Sequence, residues 1–241
     1  MIVAVRFFCL AIGLIFGLFQ TGYIVGKANG IDLRNYGSGN SGTTNAVRVL
    51  GTGKGLLVLA GDAAKTLLAM LIVYYTFGNM YPEMKLMLCM YAALGAVISH
   101  DFPFYMHFKG GKGIACTAGY CIGLCLFNPL IFIITFFVFL IPFLITHYVS
   151  LGSLMVYLAL VIEVIIFGQN GWLGYDYSQS VLIEIYVIMF ILAGLAYYLH
   201  RKNIVRLIKG EENKTYLLKK HRDAYNAEKA AKEAAKNSDK E

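Results

Sequence analysis

Seven long apolar segments divide this chain, and they restrict its fold more than any other feature of the sequence. Each is close to the length of one helical bilayer crossing, which takes about 20 apolar residues. Hydrophobic residues make up 58% of the 241, more than the ~45–50% usual in globular domains. The segments lie near residues 3–26, 55–78, 84–100, 113–127, 128–147, 151–168 and 180–199. We therefore predict an all-α integral membrane protein with seven transmembrane helices.

The loops between these segments fall into two classes by charge. Loops 27–54 and 101–112, and the stretch after the last apolar segment, contain several Lys and Arg. Loops 79–83, 127–129 and 169–179 contain none. Because cytoplasmic loops carry the excess of positive charge, seven crossings place every basic loop in the cytoplasm, the N-terminus outside and the C-terminus inside. The same rule accounts for the net charge of +7, so we expect no nucleic-acid binding.

The end of the chain differs in kind from the rest. From Lys214 onward it is rich in Ala, Glu and Lys, with Glu–Lys pairs at helical spacing and no apolar stripe. We interpret residues 1–213 as one membrane domain and residues 214–241 as a polar tail, helical or partly disordered, without a catalytic role. At the other end, no charged region precedes the first apolar segment and no clear cleavage site follows it, so we expect a retained helix.

The first of three polar segments is the glycine-rich stretch 37–48, which lies in a basic loop. Glycines let the backbone approach an anion closely. Ser38, Thr44 and Asn45 add neutral donors, and Arg48 adds a planar guanidinium suited to phosphate. This pattern favours an anion site, and the alternative is a flexible polar loop.

The second polar segment ends in Gly110-Gly111-Lys112-Gly113, directly before an apolar helix. Free amides at a helix N-terminus and a neighbouring lysine attract phosphate. It is not a Walker loop, because Met106 stands where the first glycine of that motif is required. His100, at the start of the segment, is either an acid–base group or a histidine that orders the loop.

The third polar segment follows the last apolar segment. His200 and Asn203 are spaced for one helix face, where they suit a polyol phosphate. Arg201 and its basic neighbours also suit lipid headgroups. Ser150 and Ser153, on the same side of the predicted membrane, either line a site or cap a helix.

A few ionisable residues lie inside the apolar segments, where they are costly and usually paired or functional. We predict a local ion pair between Asp62 and Lys65. Glu163 and Glu184 have no partner evident in the sequence, and they leave open a transporter for a small phosphorylated solute. No cluster of His, Asp or Glu has metal-ligand spacing and the cysteines fit no zinc pattern, so we expect neither a metal nor a cofactor.

In combination, these motifs resemble the PlsY family of bacterial membrane acyltransferases. The resemblance rests on Gly-Ser-Gly-Asn-x-Gly-x-Thr-Asn-x-x-Arg at 37–48, Phe-Lys-Gly-Gly-Lys-Gly at 108–113 and His-Arg-x-Asn-Ile-x-Arg-Leu at 200–207. It implies a multi-pass enzyme of the bacterial plasma membrane whose site faces the cytoplasm. The implied reaction moves a fatty acyl group from acyl phosphate to the 1-hydroxyl of sn-glycerol 3-phosphate, which gives lysophosphatidic acid and phosphate.

The resemblance also implies roles for individual residues. Ser38 and Arg48 would contact the acyl phosphate, and Ser150 or Ser153 would line the site. The residues expected to cradle phosphate are Gly110, Gly111, Lys112 and Gly113. The residues expected to hold glycerol 3-phosphate are Thr44, Asn45, His200, Arg201 and Asn203. The catalytic set that we expect is Ser38, Arg48, Lys112, His200 and Asn203.

Acyl phosphate chemistry suits this inventory, because phosphate is a good leaving group and the protein needs to supply only positioning and positive charge. None of the five histidines lies in a His-x-x-x-x-Asp motif, which marks glycerolipid acyltransferases that use acyl-CoA or acyl carrier protein. We expect a phosphate oxygen, or less readily His200, to take the proton of the 1-hydroxyl. A partner enzyme that supplies acyl phosphate is compatible with the sequence. The remaining alternative is a structural membrane protein whose basic loops bind anionic lipid.

Overall fold

A computed structural model of the chain describes residues 2–238, and every regular element in that range is helical. The α-helices are α1 (Ile2–Gly17), α2 (Thr21–Ala28), α3 (Thr43–Leu50), α4 (Thr52–Tyr75), α5 (Phe77–Met80), α6 (Lys85–Asp101), α7 (Ile114–Leu124), α8 (Pro129–Thr146), α9 (Val149–Gln169), α10 (Gln179–Leu199), α11 (Arg201–Ile208) and α12 (Lys219–Ser238). Short 3-10 helices lie at Leu33–Asn35, Pro82–Met84 and Phe104–Met106. The predicted all-α fold is confirmed.

Seven of these helices, namely α1, α4, α6, α7, α8, α9 and α10, run alternately in opposite directions, so that the bundle has two ends. At one end, the Tyr74 and Phe127 rings are in contact, with centroids 5.6 Å apart. At the other end, the amide of Gly110 donates to the carbonyl of Asp101 at 3.1 Å. We call this second end, where α4, α7 and α9 begin, the site end. All three polar segments lie there.

Helix α6 is the centre of the bundle. Residues 86–90 are each at most 1% exposed, the pattern of a helix that is covered on every side. Small residues let α1 approach it closely, because a Cβ on Gly13 or Gly95 would overlap backbone atoms of the other helix. Helix α8 lies at the edge, where Phe137 and Ile145 are exposed as expected for a surface that faces lipid.

Within residues 2–238, six helical segments are long and apolar enough to cross a bilayer. They are Val3–Ala28, Thr52–Met80, Pro82–Met106, Pro129–Thr146, Val149–Gln169 and Gln179–Leu199. The segment predicted over 113–127 forms only α7, whose 11 residues extend roughly 16 Å, about half of the hydrocarbon core. The all-helical membrane fold is therefore clear, while the count of seven crossings and the orientation of the termini stay predictions.

The first apolar segment is broken, and the expectation of one helix over 3–26 missed this break. Helix α1 ends at Gly17 and α2 begins four residues further on. The Nζ of Lys65 donates to the carbonyls of Gly17 at 3.2 Å and Phe19 at 2.6 Å, which satisfies acceptors left free at a helix end. The Lys65 Nζ also lies 2.9 Å from Asp62 Oδ1, which confirms the predicted ion pair.

The two isolated glutamates have partners that the sequence did not reveal. Glu184 accepts hydrogen bonds from Arg6 Nε at 2.6 Å and from the Tyr91 hydroxyl at 2.5 Å. Glu163 accepts one from the Thr135 hydroxyl at 3.2 Å. Both carboxylates thus join neighbouring helices of the bundle, which accounts for the feature that had favoured a transporter.

Candidate active site

The side chain of Asn45 organises the glycine-rich loop. Its Nδ2 donates to the carbonyls of Leu33, Tyr36 and Asn40 at 2.8–3.0 Å. Its Oδ1 accepts from the amide of Ser38 at 2.8 Å. The amide of Asn45 is therefore occupied within the loop, which it folds so that Ser38 is exposed to the cavity described below.

The Gly110–Gly113 turn is folded back on the end of α6. The amides of Gly110 and Gly111 donate to the carbonyls of Asp101 and His100, each at 3.1 Å. A Cβ on Gly111 would overlap the His100 imidazole, so glycine is required for this approach. His100 thus orders the turn, which holds the Lys112 side chain towards α11.

Two hydrogen bonds join the first basic loop, which contains the first polar segment, to the second polar segment. Asn40 Nδ2 donates to the carbonyl of Gly110 at 3.3 Å, and Arg34 Nη1 donates to the carbonyl of Met106 at 3.2 Å. The two loops therefore form one wall, although the bonded residues are 70 and 72 positions apart in the sequence.

The third polar segment meets this wall through a chain of charged and polar groups. Lys112 Nζ donates to Asn203 Oδ1 at 2.5 Å. Asn203 Nδ2 donates to one oxygen of Glu212 at 3.0 Å, and Arg206 Nε donates to the other at 2.8 Å. Asn203 and Glu212 are both buried, so this network fixes the position of Lys112.

His200 lies at the junction of α10 and α11. Its Nδ1 lies 2.8 Å from the carbonyl of Ala196, so we assign the hydrogen to Nδ1 and leave Nε2 as an acceptor. Burial, reinforced by the nearby Lys112 ammonium, lowers the pKa of His200 to about 4. The imidazole is therefore neutral at physiological pH.

The three segments enclose a cavity of about 430 Å³ at the site end. The predicted residues that line it are Ser38, Thr44, Asn45, Arg48, Lys112, Ser150, Ser153, His200, Arg201 and Asn203. Gly110, Gly111 and Gly113 do not line it. The amides of Gly110 and Gly111 are hydrogen-bonded to carbonyls at the end of α6. The turn therefore supports Lys112, and the backbone of its glycines does not line the cavity.

The serines at the start of α9 also face this space. The Ser150 hydroxyl is buried without a partner among the described residues, which makes it available to a ligand. Ser153 donates to the carbonyl of Val149 at 2.8 Å. No side chain caps α9, so the capping alternative does not hold. Arg201 stays partly directed to the surface, with its guanidinium 4.3 Å from the Tyr198 ring centroid.

Positive charge dominates the cavity. One carboxylate, Glu212, lines it against five basic residues, which are Arg48, Lys112, Arg201, Lys202 and Arg206. Burial, followed by repulsion from Arg206, lowers the pKa of Lys112 to about 8. Burial also lowers the pKa of Arg48, against the attraction of Glu212, but an arginine stays protonated. Such a site suits anions that carry phosphate.

Sequence reasoning missed the residues that hold the cationic groups. Glu212 lies within a basic stretch, where the acidic pair Glu211-Glu212 was the available signal. Thr215, whose hydroxyl accepts a hydrogen bond from Arg48 Nη2 at 2.8 Å, lies in the tail to which no role was assigned. Nothing in its local sequence marks it.

The chain matches a family model described as glycerol-3-phosphate acyltransferase over residues 7–210. It is 35% identical over 231 residues to a glycerol-3-phosphate acyltransferase of Pelodictyon phaeoclathratiforme, which covers 88% of this chain and 97% of the relative. It is 38% identical over 199 residues to glycerol-3-phosphate acyltransferase 2 of Lactobacillus acidophilus, which covers 82% and 84%.

Two solved structures have the same fold. Both are crystal structures of PlsY, an integral membrane glycerol 3-phosphate acyltransferase. The glycerol 3-phosphate form has a TM-score of 0.73 at 30% identity, and it covers 88% of this chain and 96% of that one. The lysophosphatidic acid form has a TM-score of 0.71 at 27% identity with the same coverage.

Proposed function

We propose that this chain, which belongs to the glycerol-3-phosphate acyltransferase (PlsY) family, transfers a fatty acyl group from acyl phosphate to the 1-hydroxyl of sn-glycerol 3-phosphate. The products are lysophosphatidic acid and inorganic phosphate. The observation that carries the proposal is the convergence of three sequence-distant polar segments on one cation-lined cavity. The two similar solved structures of PlsY are described as its glycerol 3-phosphate form and its lysophosphatidic acid form.

Charge and hydrogen bonding support binding of two phosphate-bearing substrates. Arg48 and Ser38 lie on one wall, where we assign the phosphate of the donor. Lys112, His200 and Asn203 lie on the other, where we assign glycerol 3-phosphate, together with Thr44 and Arg201 at the rim. Asn45 acts through the loop that it folds, because its amide is already engaged. The glycines of the Gly110–Gly113 turn act by placing Lys112.

The proposed chemical step needs no acyl-enzyme. The oxygen of the 1-hydroxyl attacks the acyl carbon, and the bond between that carbon and the bridging phosphate oxygen breaks. The hydroxyl proton passes to an oxygen of the departing phosphate, and the cations of the cavity stabilise the charge that develops. His200, whose pKa is about 4, is too weak a base at neutral pH. Its free Nε2 suits a hydrogen bond to the glycerol hydroxyl.

We also propose the membrane arrangement that the charge pattern predicts. Seven crossings would place the N-terminus outside and the site end in the cytoplasm of a bacterial cell, at the plasma membrane. The acyl chain of the donor would then lie among the apolar helix ends, and a cytoplasmic enzyme that makes acyl phosphate would supply it. The alternation of the seven helices between two ends supports this arrangement.

Variants of the cavity test the proposal. The purified protein is given long-chain acyl phosphate and glycerol 3-phosphate, and lysophosphatidic acid is measured. Ser38→Ala and Lys112→Ala are expected to lose at least about a hundredfold in turnover. Lys109→Ala is the matched control, because Lys109 is exposed and does not line the cavity. Full activity in Lys112→Ala would place the reaction elsewhere.

A further inference from the structure

The C-terminal tail reaches into the site. We call residues 213–225 the strap. Arg48 Nη2 donates to the Thr215 hydroxyl at 2.8 Å and to the carbonyl of Asn213 at 3.1 Å. Thr215 is 3% exposed, which is the burial of a core residue and not of a solvated tail. The family model ends at residue 210, so the family resemblance assigns the strap no role.

The strap is anchored on one side to the end of α8. The amide of Thr215 donates to the carbonyl of His147 at 2.9 Å. The Tyr216 ring lies 4.6 Å from the His147 ring, centroid to centroid. The amide of Lys214 donates to the Tyr225 hydroxyl at 3.3 Å, which closes the strap on itself.

On the other side the strap is anchored to α3 and α4. Arg222 Nη1 donates to the Thr52 hydroxyl at 3.2 Å, and more weakly to the carbonyl of Val47 at 3.5 Å. The Thr52 hydroxyl donates to the carbonyl of Leu217 at 2.6 Å. The strap therefore bridges two parts of the site end, and Arg48 lies between its anchors.

These contacts use one terminal nitrogen of Arg48 and leave Nε without a partner. The Arg48 Nε is buried and makes no hydrogen bond among the described residues. Leaving a charged donor unsatisfied in a buried place is costly unless a ligand completes it. The strap thus holds Nη2 of the guanidinium, while the Nε–H donor remains for an anion.

The strap also encloses a side cavity of about 250 Å³. Arg48, Lys214 and Arg222 contribute cations to its wall. It shares Ser38 and Arg48 with the main cavity, so both cavities meet at the residues that we assign to the phosphate of the donor.

We propose that the strap is part of the acyl-transfer site, and that Thr215 is a positioning residue that orients Arg48 towards the phosphate of the acyl donor. This inference rests on the proposed function. It reverses the expectation that the tail has no catalytic role, while the division of the chain at residue 213 stays a prediction. The mechanism is entropic and geometric: a fixed guanidinium meets the phosphate without first being ordered.

The test compares Thr215→Val with Thr215→Ser in the purified full-length chain. Valine keeps the shape and the backbone bond to His147 but cannot accept from Arg48, whereas serine can. We expect Thr215→Val to raise the KM for acyl phosphate about tenfold, the size expected when a hydrogen bond to a charged group is lost. The KM for glycerol 3-phosphate and the melting temperature stay unchanged, and Thr215→Ser restores the donor KM.

Two truncations test the strap as a whole. Removal of residues 214–241 is expected to lower kcat/KM for the donor at least as much as Thr215→Val. Removal of residues 227–241, which leaves every contact described above, is the matched control and is expected to stay within twofold. Equal activity of both truncated chains would overturn the proposal.

Binding of inorganic phosphate, measured by titration calorimetry, separates this inference from the proposed function. Turnover of acyl phosphate by the full chain tests the function first. If that fails, phosphate that binds about tenfold more weakly to Thr215→Val than to the full chain still supports the strap. Equal phosphate affinity of the two proteins, or an unchanged donor KM, overturns it.

Discussion

At the scale of single residues, the site depends on side chains whose positions are fixed by others. Asn45 could be named from the sequence, but its role could not, because the three carbonyls that it binds come together only in the folded loop. Lys112 was named for phosphate from a local motif; the structure places it in the cavity wall, and its phosphate role stays a prediction. The acceptor that holds it, Asn203, lies 91 residues away, a distance that local patterns do not bridge.

The lowered pKa of Lys112 predicts a pH dependence of substrate binding. With a pKa of about 8, the ammonium is mostly charged at pH 7 and mostly neutral at pH 9. Phosphate monoesters are already largely dianionic above pH ~7, so the substrate charge does not change. We expect KM for glycerol 3-phosphate to rise about tenfold between pH 7 and pH 9. Steady-state kinetics across this range measure it.

Lys112→Arg is the control for this prediction, because an arginine keeps its charge throughout. Its KM is expected to stay flat from pH 7 to pH 9, whatever its absolute value. A rise of the same size in Lys112→Arg would assign the titration to another group.

His200 is predicted to act as a neutral hydrogen-bonding group. Removal of a general base typically costs a hundredfold or more, whereas His200→Gln, which keeps an amide near Nε2, is expected to cost less than about tenfold. The kcat profile between pH 5 and pH 8 should keep its shape, because a pKa of about 4 lies below that range. If His200→Gln instead removed a titration step from the kcat profile between pH 5 and pH 8 and lowered kcat a hundredfold, His200 would be the base.

At the scale of elements, glycine positions decide how closely loops approach helices. The sequence predicted that Gly110–Gly113 would present amides to phosphate, as free helix N-termini do. The structure instead uses two of those amides on α6. The difference arises because the end of α6 also exposes carbonyls that need donors. These carbonyls lie close to the turn, and the glycine amides bind them and not a phosphate.

Gly111→Ala is expected to displace the turn, because the added Cβ would overlap the His100 imidazole. A displacement of about 1 Å at Lys112 would weaken turnover roughly tenfold to a hundredfold. The matched control is Gly53→Ala, since the added Cβ there meets no atom within 4 Å. Acyl transfer by both variants measures the effect. Equal activity would show that the turn tolerates the methyl group and does not fix Lys112.

At the scale of the whole molecule, hydropathy and charge predicted the membrane fold well. Local composition was enough to predict the apolar segments, their alternating loops and the grouping of polar segments at one end. This is because the apolar length of a segment and the charge of its flanking loops determine how it lies in a bilayer. The break between α1 and α2 was not predictable, because the acceptors at that break are satisfied by Lys65 from a different helix. The partner of Glu184 was not predictable either, because Arg6 lies on a different helix.

The short helix α7 makes the number of crossings testable. If α7 crosses with its neighbours, Leu126 in the following turn, which is 43% exposed, lies outside the cell. We expect Leu126→Cys, in a Cys125→Ser background, to react with a membrane-impermeant maleimide on intact cells. Lys109→Cys, in the opposite loop, should react only after the membrane is opened. Protection of position 126 in intact cells would favour six crossings.

The most direct test of the central claim is the choice of acyl donor. Purified wild-type protein in lipid is given glycerol 3-phosphate with long-chain acyl phosphate, acyl-CoA or acyl carrier protein in separate reactions, and 1-acylglycerol 3-phosphate is measured. We predict product and stoichiometric inorganic phosphate from acyl phosphate alone, since the cavity supplies cations for a phosphate leaving group. Product from acyl-CoA or acyl carrier protein at a comparable rate, or no product from any donor in folded protein, would contradict this account.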